Sequence, residues 1–384
     1  MRVRPDGEDG MRDSMTFLDS YKGKKVLITG HTGFKGSWLS LWLWKLGSRV
    51  YGYSLPPDTT PNNYAVSSVR NILSGVTIGD ISDKRLIYEA IKEAEPDFIF
   101  HLAAQPLVRV SYDHPIQTFQ TNVIGTLNLL DALRDHERPC SVIMVTSDKC
   151  YENSGQVFGY RECDPLGGHD PYSASKAAAE IAIASYRRSF FPVDCIDEHG
   201  VQIATVRAGN VIGGGDWGTD RIIPDTVRAL SMKKVVEVRN PHAIRPWQHV
   251  LEPLSGYLTL GARMYETRDP SLSSAWNFGP LSHDECPVSE LMDLFCAEWG
   301  GNSSWKHVIP QNAPFESSVL RLSIDKAIHQ LQWRPRWSLQ GAIRRTVGWY
   351  REYYHRGGES MQEYCLQEIE AYQGENAFLH SSED

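Results

Sequence analysis

The sequence contains no CxxC pair and no group of cysteines and histidines at metal-ligand spacing, so no metal site is expected. Its seven cysteines (140, 150, 163, 195, 286, 296 and 365) are scattered and odd in number. That excludes a disulfide framework and points to reduced thiols, buried as small apolar side chains in a cytosolic protein. No apolar run approaches the ~20 residues that span a bilayer, which excludes a membrane partner. Residues 1–20 are polar and charged, without the apolar centre of a signal peptide, and read as a disordered extension with Met15 as an alternative start. The expected location is the cytoplasm. A basic surplus is missing as well: 39 Lys and Arg against 47 Asp and Glu leave a net charge of -8, which excludes a general nucleic-acid binder. There is no internal repeat and no low-complexity tract.

What is present is an ordinary globular composition, 41% hydrophobic and 22% charged over 384 residues. That is enough for one large α/β domain with a lobe attached, or for two or three average domains. The chain is organised around residues 25–53, KVLITGHTGFKGSWLSLWLWKLGSRVYGY. Val26 to Thr29 form a short apolar run, and Gly30, Gly33 and Gly36 follow at a spacing of three. An apolar stretch from Trp38 to Leu46 then closes on Gly47, and a second strand begins near Arg49. Strand, glycine turn, helix and strand make a dinucleotide-binding βαβ unit, in which glycine admits a pyrophosphate to the backbone N–H groups of a helix N-terminus. Thr29, Gly30, Thr32, Gly33, Phe34, Lys35 and Gly36 are therefore cofactor-binding candidates. The alternative is a glycine-rich turn without a ligand.

The second strand ends at Tyr53 and Ser54, where a ribose-binding Asp or Glu usually stands. No arginine follows to meet a 2′-phosphate, so NAD is favoured over NADP. A third strand, Val76 to Ile78, leads to Asp80 and Ile81, placed to meet an adenine; Asp80 serves equally well as the cap of a helix over Ser82 to Ala94. A fourth, Phe98 to Leu102, runs into Ala103, Ala104 and Gln105; small residues at that strand end allow close approach of a cofactor, so Leu102, Ala103, Ala104 and Gln105 join the cofactor-binding candidates. Pro115 opens a long helix to Arg134. The fifth strand, Ser141 to Val145, ends in Thr146-Ser147-Asp148-Lys149. A helix from Ser173 to Phe190 precedes a sixth strand at Val201 to Val206. This alternation predicts a Rossmann-type, doubly wound parallel sheet over residues 21–207, to which residues 251–280 return as helix and strand. Residues 208–357 form a smaller C-terminal substrate-binding lobe with a packed amphipathic helix at Ser338 to Tyr354. Residues 358–384 read as a loose tail.

Ligands gather at the carboxyl edge of such a sheet. There Ser147 meets Tyr172 and Lys176, the last two at i and i+4 on one helix face. Moving a tyrosine pKa from ~10 towards 7 takes about 4 kcal/mol, which a lysine ammonium and an oxidised nicotinamide in a partly dry cleft supply together. The resulting tyrosinate takes a proton from a sugar hydroxyl while carbon gives up hydride. A YxxxK on its own is more often a surface pair.

Together TGHTGFKG (29–36), HLAAQ (101–105), Ser147 and YSASK (172–176) resemble the extended short-chain dehydrogenase/reductase family, and the resemblance runs from Lys24 to Tyr354. It implies that Ser147 hydrogen-bonds the reacting hydroxyl, that Tyr172 is the base, and that Lys176 holds the nicotinamide ribose. Sugar-nucleotide epimerases of the family need only these three residues, whereas its dehydratases add an acidic pair after the serine or threonine. Here Asp148 is followed by Lys149, where the commoner dehydratases carry Glu. That departure, with GHTGFKGSWLSLWL, AAQPLVRVSY, TSDKCYEN, GGGDW and RPWQHV, resembles the nucleotide-sugar dehydratases that act on CDP-glucose.

The resemblance implies an NAD-dependent lyase in which Asp148, its pKa raised by burial, is the acid for O6 and Lys149, its pKa lowered, is the C5 base. A plain Asp148–Lys149 salt bridge is the alternative. It further implies that Asn210, Arg221, Arg245 and Arg321 hold the sugar nucleotide, arginine suiting phosphate by its planar fork. Recognition of cytosine rests on the resemblance alone. A homodimer through 115–134 and 173–190, or a tetramer, is implied too, with a product that feeds deoxysugars of bacterial lipopolysaccharide O-antigen. Two further readings stay open: a nucleotide-sugar 4-epimerase or dehydratase of another sugar nucleotide, and a non-catalytic dinucleotide sensor.

Overall fold

Each apolar run of the first half becomes a strand of one parallel sheet in the structure, a computed structural model that describes residues 16–309, 319–357 and 359–374. In chain order these are β1 (Lys25–Thr29), β2 (Arg49–Ser54), β3 (Gly75–Ile78), β4 (Phe98–His101), β5 (Cys140–Val145) and β6 (Val201–Ala208), and β7 (Ala275–Phe278) returns from the second half. They lie in the order β7-β6-β5-β4-β1-β2-β3, all neighbours being parallel.

Successive side chains enter opposite faces of a strand, so a sheet covered on both sides needs unbroken apolar runs. Val26, Ile28, Phe98, Phe100 and Ile143 enter one core, closed by helices Phe34–Lys45 and Leu251–Thr267. Leu27, Ile99, Val142 and Met144 enter the other, closed by Lys84–Ala94, Gly125–Ala132 and Pro171–Ser189. This is the doubly wound sheet. Its strand order reverses between β1 and β4, which opens a crevice at their carboxyl ends.

The helix that Pro115 opens runs on to Asp135 with a π-helical turn at Gln120–Ile124. That turn carries Asn122, whose amide bonds both the Gln105 backbone (2.8 and 3.1 Å) and Ser175 Oγ (2.8 Å). The lobe is built from short two-stranded ribbons: Val211–Ile212 with Gln248–His249, Ile244–Arg245 with Cys286–Pro287, and Val236–Val238 with Trp305–His307.

Both ends depart from expectation. Residues 1–15 of the expected extension lie outside the described residues, but Thr16–Tyr21 form a short 3-10 helix. Leu18 and Tyr21 are buried there, and Tyr21 donates to the Leu258 carbonyl at 2.8 Å. In the expected loose tail, residues 358 and 375–384 lie outside the described residues, while Gln362–Gly374 are helical and bury Cys365, Ile369 and Tyr372. The cause is helix Phe34–Lys45, apolar on nearly every side, which needs cover on the face turned from the sheet. Tyr372 supplies part of it, edge-on to Trp42 at 5.6 Å.

Candidate active site

The glycine turn is shaped by close approach. Gly30 has φ +79°, and a Cβ there would lie 2.8 Å from the Ala103 nitrogen; one at Gly36 would lie 2.1 Å from the Gly30 carbonyl oxygen. Gly33 is different: it opens helix Phe34–Lys45 without a side-chain cap, it is exposed, and its Cβ would meet nothing nearer than 3.4 Å. The first N–H groups of that helix have no intrahelical acceptor and face the crevice, which is the cradle an anionic diphosphate fits. Beside it Thr32 Oγ1 lies 2.8 Å from Ser54 Oγ, so hydroxyls stand where a carboxylate is usual.

From this turn a cleft of about 940 Å³ runs across the strand ends into the lobe. Among the expected site residues, Gly30, Thr32, Gly33, Phe34, Lys35, Gly36, Asp80, Ile81, Leu102, Ala103 and Ala104 line it, as do Ser147, Asp148, Lys149, Tyr172, Lys176, Asn210, Arg221 and Arg245.

Four expected residues are placed elsewhere. Thr29 is fully buried and holds β1 to β4, its Oγ1 2.7 Å from His101 Nδ1. Tyr53 points into the core behind the wall and donates to the Asp80 carbonyl at 2.7 Å; its neighbour Ser54 reaches the cleft instead. The Gln105 side chain bonds the Leu107 backbone and Thr118, fastening its own loop. Arg321 is outside the cleft wall and pairs with Glu285 at 2.7 Å. Asp80 is no helix cap either: Asp83 caps Lys84–Ala94, and Asp80 accepts from the Ser82 N–H at 2.8 Å.

The side chains expected to react converge at the end of β5. Helix Pro171–Ser189 is capped by Asp170, which accepts from the Ser173 N–H at 2.9 Å, and its first turns turn Tyr172 and Lys176 inward. Lys176 Nζ lies 3.4 Å from the Val145 carbonyl oxygen. Ser147 Oγ donates to Asp148 Oδ1 at 3.1 Å and accepts from the Lys149 N–H at 3.2 Å. Asp148 is 4% exposed, and its second oxygen has no protein partner. Among the described residues no ion pair joins it to Lys149.

Burial sets the charges here. It raises the Asp148 carboxyl above the ordinary carboxylate range, against the pull of Lys149, Ser147, Arg245 and Lys35. It lowers Lys176 to about 8 and Lys35 to about 8, the latter held up by Asp148 and pushed down by Arg221 and Lys176. Tyr172 departs from expectation: its hydroxyl is pushed up to about 12. Burial is the main cause, a hydrogen bond from Ser147 opposes it, and Asp148 adds to it. Loss of water outweighs the Ser147 hydrogen bond and the Arg221 guanidinium.

In the lobe, Arg245 is buried on its ribbon, its Nη1 2.9 Å from the Ile244 carbonyl oxygen. Arg221 is held by both oxygens of Asp216 at 3.2 and 3.0 Å and faces Tyr172 electrostatically. Sequence reasoning missed Arg109, Asp216, Asp220 and Arg239 in the cleft wall. Asp220 bridges Arg109 (3.4 Å) and Arg239 (3.2 Å), tying the short helix Val108–Asp113 after β4 to the lobe. Two of the four were signalled, Arg109 within AAQPLVRVSY and Asp216 within GGGDW.

Residues 27–346 match the family described as GDP-mannose 4,6 dehydratase. A CDP-glucose 4,6-dehydratase from Salmonella typhimurium is 46% identical over 352 residues, covering 92% of this chain and 97% of that protein. A dTDP-glucose 4,6-dehydratase from Streptomyces venezuelae, solved with NAD bound, has a TM-score of 0.70 at 24% identity, covering 86% of this chain and 98% of its own. A UDP-glucose 4-epimerase from Thermotoga maritima has a TM-score of 0.72 at 21% identity, covering 86% and 99%. The two solved structures share the fold.

Proposed function

The chain belongs to the GDP-mannose 4,6 dehydratase family, within the extended short-chain dehydrogenases/reductases, and we propose that it converts CDP-D-glucose to CDP-4-dehydro-6-deoxy-D-glucose with NAD as a recycled cofactor. The observation that carries this reading is Asp148, buried in the cleft with one carboxyl oxygen unpartnered, between Ser147 and Lys149. A 4-epimerase has no use for that acid or for the lysine beside it. The 46% identity to a CDP-glucose 4,6-dehydratase supports the choice of sugar nucleotide.

The glycine cradle at the N-terminus of Phe34–Lys45 fits a dinucleotide diphosphate, with Lys35 beside it and Asp80 and Ile81 farther along the wall. Bound there, NAD would supply a hydride acceptor for C4 and a hydride donor for C6. Tyr172 takes the C4 hydroxyl proton, and Ser147 hydrogen-bonds the same oxygen. The C4 ketone acidifies C5–H, Lys149 takes that proton, and Asp148 gives its own to O6, which leaves as water. With hydride at C6 and a proton back at C5, the sugar has lost one water. Tyr172 then holds an extra proton and Asp148 lacks one; Ser147, bonded to Asp148 Oδ1, lies on the path that resets them. Asn210, Arg221 and Arg245 hold the nucleotide diphosphate side of the substrate. Appearance of an alkali-absorbing keto product from CDP-glucose tests the reading; a C4 epimer without it overturns it.

The working unit on this reading is a homodimer in the cytoplasm. Ile116 (79% exposed) and Ile181 (59%) stand on the two adjacent helical segments named for pairing, with Phe119 and Ile124 also exposed, an apolar face suited to a second copy. Light scattering at micromolar concentration returns twice the chain mass if so, and one chain mass if not. Among the described residues no helix is long and apolar enough to cross a membrane.

A further inference from the structure

Beneath the cleft floor lies a buried ion pair that the mechanism above does not use. Glu180, one turn beyond Lys176 on helix Pro171–Ser189, pairs with Arg207 of β6 in a fork, Nε to Oε1 and Nη2 to Oε2, both at 2.9 Å. Their side chains are 4% and 3% exposed. The remaining bonds of this pair reach Thr146, Thr205, Tyr151 and the Glu162 carbonyl, the last at 3.3 Å from Arg207 Nη1. Glu180 Oε1 accepts from Thr146 Oγ1, and Oε2 from Thr205 Oγ1 at 2.8 Å. Arg207 Nη1 donates to Tyr151 Oη at 2.7 Å, and that hydroxyl donates to Asn277 Oδ1 of β7 at 2.7 Å. The Tyr151 ring also lies under the guanidinium, 4.8 Å from it, and stacks on Tyr160 at 5.2 Å.

Thr146 and Tyr151 are the residues immediately outside the segment Ser147-Asp148-Lys149-Cys150. One buried pair therefore grips both ends of the short turn that carries the serine, the acid and the base. We propose that Glu180 and Arg207, acting through Thr146 and Tyr151, are positioning residues that fix Asp148 and Lys149 for the elimination step. The inference rests on the dehydratase reading above. A buried ion pair is weak evidence of stability in itself, because desolvation offsets the attraction, which favours a specific positional role for a fork with every bond made. Glu180 also acts on Lys176 from below, holding its ammonium up against the effect of burial. Elimination is the sensitive step because the acid and base must face O6 and C5–H together, and a misplacement of about 1 Å costs up to ~10²-fold.

The test uses Tyr151→Phe and Thr146→Val, each removing one anchoring hydroxyl while keeping the side-chain shape, and the double variant. Products from CDP-glucose and NAD are resolved by mass into the keto sugar two hydrogens lighter than substrate and the dehydrated sugar one water lighter. Each single variant is expected to lower kcat for dehydration about 10–100-fold with KM unchanged, and to release keto sugar that the wild type does not. The double variant is expected to fall short of the product of the two effects, since both act on one turn. Arg207→Lys, which keeps charge but not the fork, is expected to behave as Tyr151→Phe does. Release of no keto sugar by either single variant, whether dehydration holds or falls, overturns the proposal. Should the wild type make neither product, it is the dehydratase reading that fails.

Discussion

Tyr172 and Lys176 lie four residues apart on one face of helix Pro171–Ser189, and burial moves their pKa values apart, each in favour of its neutral form, to about 12 and about 8. A tyrosine at 12 is no base at neutral pH, so the free protein holds the hydroxyl of this proposed base protonated. The positive nicotinamide of bound NAD is the charge that changes this. Ultraviolet difference titration of wild type against Tyr172→Phe is expected to show tyrosinate only in strong alkali without NAD, and at clearly lower pH with it. An unchanged midpoint contradicts this. Tyr172→Phe should also lose about 10²–10⁴-fold in turnover.

Lys149 and Asp148 are assigned to elimination alone. Lys149→Met and Asp148→Asn are expected to lose about 10²–10⁴-fold in dehydration while still reducing NAD with CDP-glucose in a single turnover. Because burial raises the Asp148 pKa, the proposed acid is expected to stay competent above the pH at which an exposed carboxyl has ionised. A variant that also loses NAD reduction places these residues in the first step instead.

The glycine turn separates fold from ligand. Gly36→Ala forces a Cβ to within 2.1 Å of the Gly30 carbonyl oxygen and should unfold the turn, seen as a large loss of thermal stability. Gly33→Ala has room, with 3.4 Å to its nearest neighbour, so its melting temperature should hold while NAD affinity falls, about tenfold for each 1.4 kcal/mol lost. Calorimetric titration checks it; unchanged affinity means the diphosphate lies elsewhere.

A second buried carboxyl governs stability. Glu252 is fully buried, accepts from the Arg336 and Trp337 N–H groups and from Tyr372 Oη, and is pushed up from 4.5 to about 7 by burial. The folded pKa exceeds the unfolded one, so the contribution is full below about 4.5 and is lost as pH rises to about 7. The span corresponds to about 3 kcal/mol. Melting temperatures of wild type and Glu252→Gln from pH 5 to 8 should converge or cross, the variant being flatter. Parallel curves contradict the assignment.

The local motifs were legible because they are local. A glycine turn between strand and helix, or a Tyr and Lys one turn apart, is fixed by backbone geometry over a few residues. What misled was the side of the sheet. Thr29 and Tyr53 stand at strand ends as a cofactor contact would, but alternation turns them into the core and brings Ser54 forward. Gln105 looked available because the partners of its side chain, the Leu107 backbone and Thr118, are brought to it by a loop and helix whose meeting no spacing rule reveals. Arg321 was placed by family position, and its pairing with Glu285 depends on a fold of the lobe. The clasp of Asp220 with Arg109 and Arg239 joins three segments distant in sequence. The tail helix was hidden by polar composition, although Met361, Cys365, Ile369 and Tyr372 already sat at helical spacing, all fully buried.

The central claim is dehydration of a cytidine-linked sugar, and one measurement addresses it most directly. Purified protein is incubated with NAD and, separately, with CDP-, dTDP-, UDP- and GDP-linked hexoses, and each sugar nucleotide is weighed by mass spectrometry. Loss of one water from CDP-glucose, and not from the other three, is the predicted result. Inversion at C4 with no change of mass, or no change in any of the four, would contradict it.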